Sequence, residues 1–165
     1  MDLNQHLRRD DIKRSALQCG MAGGVVLLLL LVLDVVTQTV LIASLGASAF
    51  IAFAVPRSLL SGHRHMIGGY VVGMLVGVAM ATLNNWIDPP GGWDHAVMVL
   101  FGAVAISAAM FLMVLSRTEH PPAAALALGL VLNEWTITTL FVVLAGVVLL
   151  SVIKRLVLPI LLDLV

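Results

Sequence analysis

Two stretches of this chain could do chemistry. Ser44-Leu45-Gly46-Ala47-Ser48 places hydroxyls on either side of a glycine, and His120-Pro121-Pro122-Ala123 places an imidazole before paired prolines. Proline lacks an N–H and has a φ preset for the first helical turn, so Pro121 and Pro122 predict the opening residues of a helix. The residue before a proline is pushed to extended geometry, which suits His120 to the N-cap position. A helix that starts within a membrane aims its dipole and unpaired N–H groups at the interior, where a small anion can bind. The glycine of the first stretch suggests a second such start at Gly46-Ala47-Ser48. Together these predict an anion site built from Ser44, Gly46, Ala47, Ser48, His120, Pro121, Pro122 and Ala123. No lysine, arginine or aspartate lies in either stretch. Partial charges alone would hold the solute, which suits a monovalent anion and lets it leave again.

The elements that position these residues must lie in a membrane. Of 165 residues, 61% are hydrophobic and 11% charged, whereas a soluble domain carries about 25% charged residues. The composition predicts an integral, all-α membrane protein with the lipid bilayer as its solvent. The formal net charge is zero, which leaves no basic footprint for nucleic acid. Cys19 is the single cysteine, so no intrachain disulfide forms. The chain has no H-E-x-x-H, no G-x-S-x-G, no Cys-His pair and no carboxylate cluster within an apolar run. We therefore expect neither an enzyme nor a cofactor or metal; His63 and His65 on either side of Arg64 are a weak metal pair without a carboxylate.

Uncharged apolar runs cover residues 16–33, 35–56, 66–87, 95–116, 121–133 and 135–153. A helix that crosses the hydrocarbon core takes about 20 residues, and the fifth run has only thirteen. Cations fall at Arg8, Arg9, Lys13, Arg14, Arg57, Arg64, Arg117, Lys154 and Arg155, and the loop 88–94 has none. Basic loops stay in the cytoplasm. Six passes place every cationic loop inside, whereas five strand Lys154 and Arg155 outside. Six passes divide into two inverted three-helix repeats, and the middle segment of each repeat is short or interrupted, as in transporters with discontinuous helices. Residues 1–15 read as a cytoplasmic N-terminal segment retained in the mature protein. Residues 16–155 form the membrane domain, and 156–165 a short apolar tail at the inner interface. Both termini are expected in the cytoplasm of a bacterial inner membrane.

Several residues have a plainer reading beside the functional one. His120 could serve only as a helix cap, and Ser44 and Ser48 could bond only their own backbone. Arg64 and Arg117 are topology anchors, or cations that gather anions at the inner mouth. Gly69, Gly73 and Gly77 repeat at intervals of four and let helices meet backbone to backbone. Their partner is a helix of this chain, for which the second and fifth runs are favoured, or a second copy in a homo-oligomer.

His120-Pro121-Pro122 followed by Ala123-Ala124-Ala125-Leu126-Ala127-Leu128 resembles the signature of the HPP family of integral membrane proteins, named for that tripeptide. Residues 44–56 are similar to the family's Gly-Ala-Ser segment closed by proline, and residues 63–78 to its loop and glycine-rich helix. The resemblance runs from about residue 20 to 153. Ala124 and Leu126 stand where the family usually has Gly and Thr. Gly62-His63-Arg64-His65 stands for Gln-Pro-Arg-Asn, and Tyr70 for a histidine that often follows the paired glycines. The resemblance implies a small multi-spanning transporter, and plastid and cyanobacterial members are associated with nitrite transport. The alternative is a structural or regulatory membrane subunit without transport activity.

Overall fold

In a bilayer the backbone N–H and C=O groups find no water, so an apolar run satisfies them within itself as a helix. The computed structural model describes residues 9–33, 39–87 and 92–164. Among them the chain is all α, with α1 at Arg9–Leu33, α2 at Thr39–Ala54, α3 at His63–Trp86, α4 at Asp94–Ser116, α5 at Pro121–Leu132 and α6 at Ile137–Val157. Short 3-10 turns at Leu59–Ser61 and Leu158–Ile160 precede α3 and follow α6. Thr37 and Gln38 of the second apolar run, and Asp88 of the loop 88–94, lie outside the described residues.

Helices α3 and α4 and the stretch Ile137–Ile160 are long and apolar enough to cross a membrane by length and composition, and α2 and α5 supply shorter apolar helices. At 1.5 Å per residue, the 12 residues of α5 span about 18 Å. That helix is apolar all round and buried on nearly every side, with Pro122, Ala123, Ala124, Leu126, Ala127, Leu130 and Val131 in the core. It packs against α2, α3 and α4. The outer faces of α4 and α6 expose Leu100, Phe111, Leu115 and Phe141, as lipid-facing surfaces do.

Contacts fix the direction of each helix. Gly69, Gly73 and Gly77 of α3 meet His120, Ala123 and Ala127 of α5 in that order, so α3 and α5 run parallel. Arg64 at the start of α3 bonds the carbonyl of Ser116 at the end of α4. His63 bonds Ser151 of α6, and Lys154 of α6 reaches Ser61. Gln18 of α1 bonds the carbonyl of Phe53 near the end of α2. The six helices thus alternate in direction. One end of the bundle gathers the cations Arg57, Arg64, Arg117, Lys154 and Arg155, together with the C-terminal tail, whose Leu164 N–H donates to Ala54 O at 2.8 Å.

Among the described residues, α1 already includes residues 9–15 of the N-terminal segment. The structure corrects the expectation at one helix start. Helix α2, described from Thr39 onward, runs unbroken through Gly46, Ala47 and Ser48. The expected half-helix start there does not exist. One glycine costs a helix only about 1 kcal/mol relative to alanine, and Gly46 has open space around it rather than a close neighbour. With no proline nearby, nothing removes a backbone hydrogen bond.

Candidate functional site

The residues that start α5 follow local rules. His120 is extended, with φ −148° and ψ 97°, and Pro121 and Pro122 take the first two helical positions. Arg117 caps α4 in the left-handed region at φ 54° and ψ 49°, with its N–H on Met113 O and Val114 O. That turn brings the chain back from the end of α4 to His120 within three residues. Gly69 makes room for it, because a Cβ there would lie 2.7 Å from His120 Cβ and 2.9 Å from Thr118 O.

His120 is 1% exposed, and Ser48 and Tyr70 are fully enclosed. Ser48 Oγ lies 2.9 Å from His120 Nε2, 2.9 Å from Tyr70 Oη and 3.0 Å from Ser44 O. Tyr70 Oη donates to Ser44 Oγ at 3.3 Å. His120 Nδ1 lies 3.0 Å from Leu60 O. A carbonyl only accepts, so Nδ1 carries the proton in that bond. The Tyr70 and His120 rings are tilted by 44° with centroids 5.7 Å apart. Three helices and one turn thus converge on a polar knot in an apolar bundle.

The structure joins Ser44, Ser48 and His120 and leaves other expected site residues apart. Ala47 and Pro121 are exposed, and Gly46 is half-buried. Ala123 is buried against Gly69 and Gly73 rather than in the knot. Arg64 and Arg117 are exposed at the cationic end. The expectation of N–H donors at the start of α5 is also overturned. Pro121 and Pro122 have none, and the N–H groups of Ala123 and Ala124 both donate to His120 O, at 2.9 and 3.4 Å. The prolines that start the helix also strip its end of donors.

A cavity of about 310 Å³ lies between α4 and the start of α5, lined by Leu60, Ile106, Met110, Met113, Glu119 and His120 among others. At the opposite end of the bundle a cavity of about 460 Å³ is lined by Asn84, Asn85, Asn133, Glu134 and Trp135 with apolar neighbours. His63 and His65 turn to different partners, Ser151 and Glu119.

Sequence reasoning missed Tyr70, which entered only as a departure from a histidine-bearing pattern. It is the single tyrosine of the chain, and its position one residue after paired glycines was the available signal. Lys154, which entered only as one of the cations at the inner end, is 6% exposed. Its Nζ donates to Ser61 O at 3.0 Å, with Ser61 Oγ at 3.3 Å.

Comparison with known proteins bears on this arrangement. A transmembrane protein of Dictyostelium discoideum is 37% identical over 93 residues, which make up 54% of this chain and 29% of that protein. The chain therefore spans less than a third of the length of that relative. No solved structure matches the chain. The family description "HPP, transmembrane region" matches residues 8–161, which include the Ser44–Ser48 stretch, Tyr70 and His120-Pro121-Pro122. With its apolar helices and its short helix opened by that tripeptide, the chain belongs to the HPP family of integral membrane proteins.

Proposed function

We propose that this membrane protein is a transporter or channel for a small monovalent anion such as nitrite, with its site at His120, Ser48, Tyr70 and Ser44, and that it is not an enzyme. The observation that carries this reading is the enclosure of an ionisable ring and three hydroxyls where the two short helices α2 and α5 meet α3. Ionisable groups inside membranes are costly and mark solute or proton pathways. Hydroxyl and ring donors take the role first given to helix ends. No lysine or arginine lies in the cluster, which suits one negative charge better than two.

The reading includes six passes, inverted repeats and cytoplasmic termini. Exchanging α1 with α4, α2 with α5 and α3 with α6 turns each packed helix pair into another packed pair or into itself. Such exchange, between helices of opposite direction, is what inverted repeats require. The cations gathered at one end support a cytoplasmic placement of that end. The glycine face of α3 is occupied by α5, so a homo-oligomer would use another surface.

A second reading, a structural or regulatory subunit, is favoured by one observation: both ring nitrogens of His120 already have partners within the chain. Purified protein in liposomes separates the two. On the transport reading it passes nitrite or nitrate faster than empty vesicles, and Ser48→Ala and His120→Ala slow that flux. No flux of any small anion, or selective passage of sodium or potassium, rejects it.

A further inference from the structure

We propose that His120 Nε2 binds a proton together with each anion, so that the protein is a proton–anion symporter. This inference rests on the anion-transport reading above. It follows from counting protons in the knot. Leu60 O fixes a hydrogen on Nδ1. In the neutral ring Nε2 is then a bare lone pair, and the single hydroxyl hydrogen of Ser48 points at it across 2.9 Å. An anion that meets this form meets an acceptor, not a donor.

One added proton reverses the arrangement without moving a heavy atom. Nε2–H donates to Ser48 Oγ, and the Ser48 hydroxyl turns to Ser44 O, which already stands at 3.0 Å. Tyr70 donates to Ser48 Oγ or Ser44 Oγ in either state. An alternative acceptor for the Ser48 hydrogen is therefore built in.

The imidazolium so formed has little to neutralise it. From α3 it faces Tyr70, with His65 nearer the helix start, and from α4 it faces Met110 and Met113 across the cavity. From α2 and the Leu59–Ser61 turn it faces hydroxyls and a carbonyl. Arg64 and Arg117 are exposed at the cationic end. Glu119 lines the same cavity but lies 3.4 Å from His65 and is partly exposed. An unpaired buried charge is strongly unfavourable. An anion in the 310 Å³ cavity beside His120 supplies the missing charge, while Nε2–H stays on Ser48 Oγ. Each ligand raises the affinity for the other by the same factor. The proton comes from water on one side, sits on the Nε2 lone pair and leaves to water on the other, so one neutral pair crosses per cycle.

The test uses the whole protein with 15N-labelled histidine, assigned with His120→Asn as reference. Addition of nitrite at fixed pH should shift Nε2 of His120 from the bare-nitrogen to the N–H resonance position. In liposomes, a nitrite or nitrate gradient should acidify the lumen without building a membrane potential. His120→Asn keeps a donor for Leu60 O and lacks Nε2. It should stay folded and inserted, with the same modest loss of stability as Ser48→Ala, while lumen acidification falls to the level of empty vesicles. Anion flux with a membrane potential and no acidification overturns the symport inference and leaves the transport reading standing. An Nε2 that stays bare under saturating nitrite also overturns it. A complete lack of anion flux fails the transport reading itself.

Discussion

Ser48 Oγ and His120 Nε2 stand 2.9 Å apart and join the middle of α2 to the cap of α5 across 72 residues of chain. The bond ties together the two short helices of the bundle, and it does so where water cannot replace a lost partner. Ser48→Ala should therefore destabilise the protein by about 0.5–2 kcal/mol, the range for interhelical hydrogen bonds in membranes. Ser107 is the control, since its hydroxyl is exposed and bonds only Ala103 O of its own helix. Unfolding in mild detergent should separate Ser48→Ala from a Ser107→Ala variant that melts like wild type. Equal melting of the two would mean that the Ser48 bond adds no stability.

Two glycines make a second contrast. A Cβ on Gly73 would press into the Ala123 carbonyl, which is backbone and cannot swing aside, whereas one on Gly46 meets nothing within 4 Å. Gly73→Ala should cost about 1–3 kcal/mol through forced separation of α3 and α5. Gly46→Ala should be neutral or gain up to about 1 kcal/mol from helix propensity. Thermal melts of the two variants check this, and a stable Gly73→Ala would mean that α3 and α5 can part without loss.

The legible and illegible parts of this fold differ in how local their causes are. The start of α5 could be read because Pro121, Pro122 and the residue before them are constrained by their own covalent geometry. The antiparallel order followed from where cations sit, and the structure gathers the described ones at one end. The start of α2 was misread because Gly46 permits a break without requiring one, and membrane helices tolerate glycine. The knot itself was only half visible. Ser44, Ser48 and His120 were in sight, but Tyr70 and the Leu60 carbonyl join them only through the packing of α3 and its preceding turn. The burial of Lys154 was hidden for a similar reason, because its long side chain turns inward to Ser61 rather than to solvent.

Orientation gives a third prediction. The described cations lie at the end that holds the tail, and the opposite end carries Asp94 and Glu134 without a lysine or arginine among its described residues. The positive-inside rule then puts the tail in the cytoplasm. A topology reporter fused after Val165 should read as cytoplasmic and one inserted at Gly92 as external. A tail reporter that reads as external would reject the six-pass orientation.

The last prediction concerns how the tail is held. Gln18 Nε2 donates to Phe53 O and, at 2.6 Å, to Leu162 O, and its Oε1 accepts from the Leu162 N–H at 3.1 Å. One buried amide thus ties α1, α2 and the tail together. The nearby Arg57–Asp163 pair is 3.9 Å long with both side chains substantially exposed, and such pairs contribute about 0–1 kcal/mol. Gln18→Leu keeps similar volume but leaves three backbone groups without that partner, each worth about 1 kcal/mol. The tail beyond Leu161, itself 1% exposed, should then loosen while the helices stay folded. Hydrogen exchange at the Leu162 amide should accelerate strongly in Gln18→Leu and change little in Asp163→Asn. If the two variants exchange alike, Gln18 does not hold the tail, and the burial of Leu161 alone anchors it.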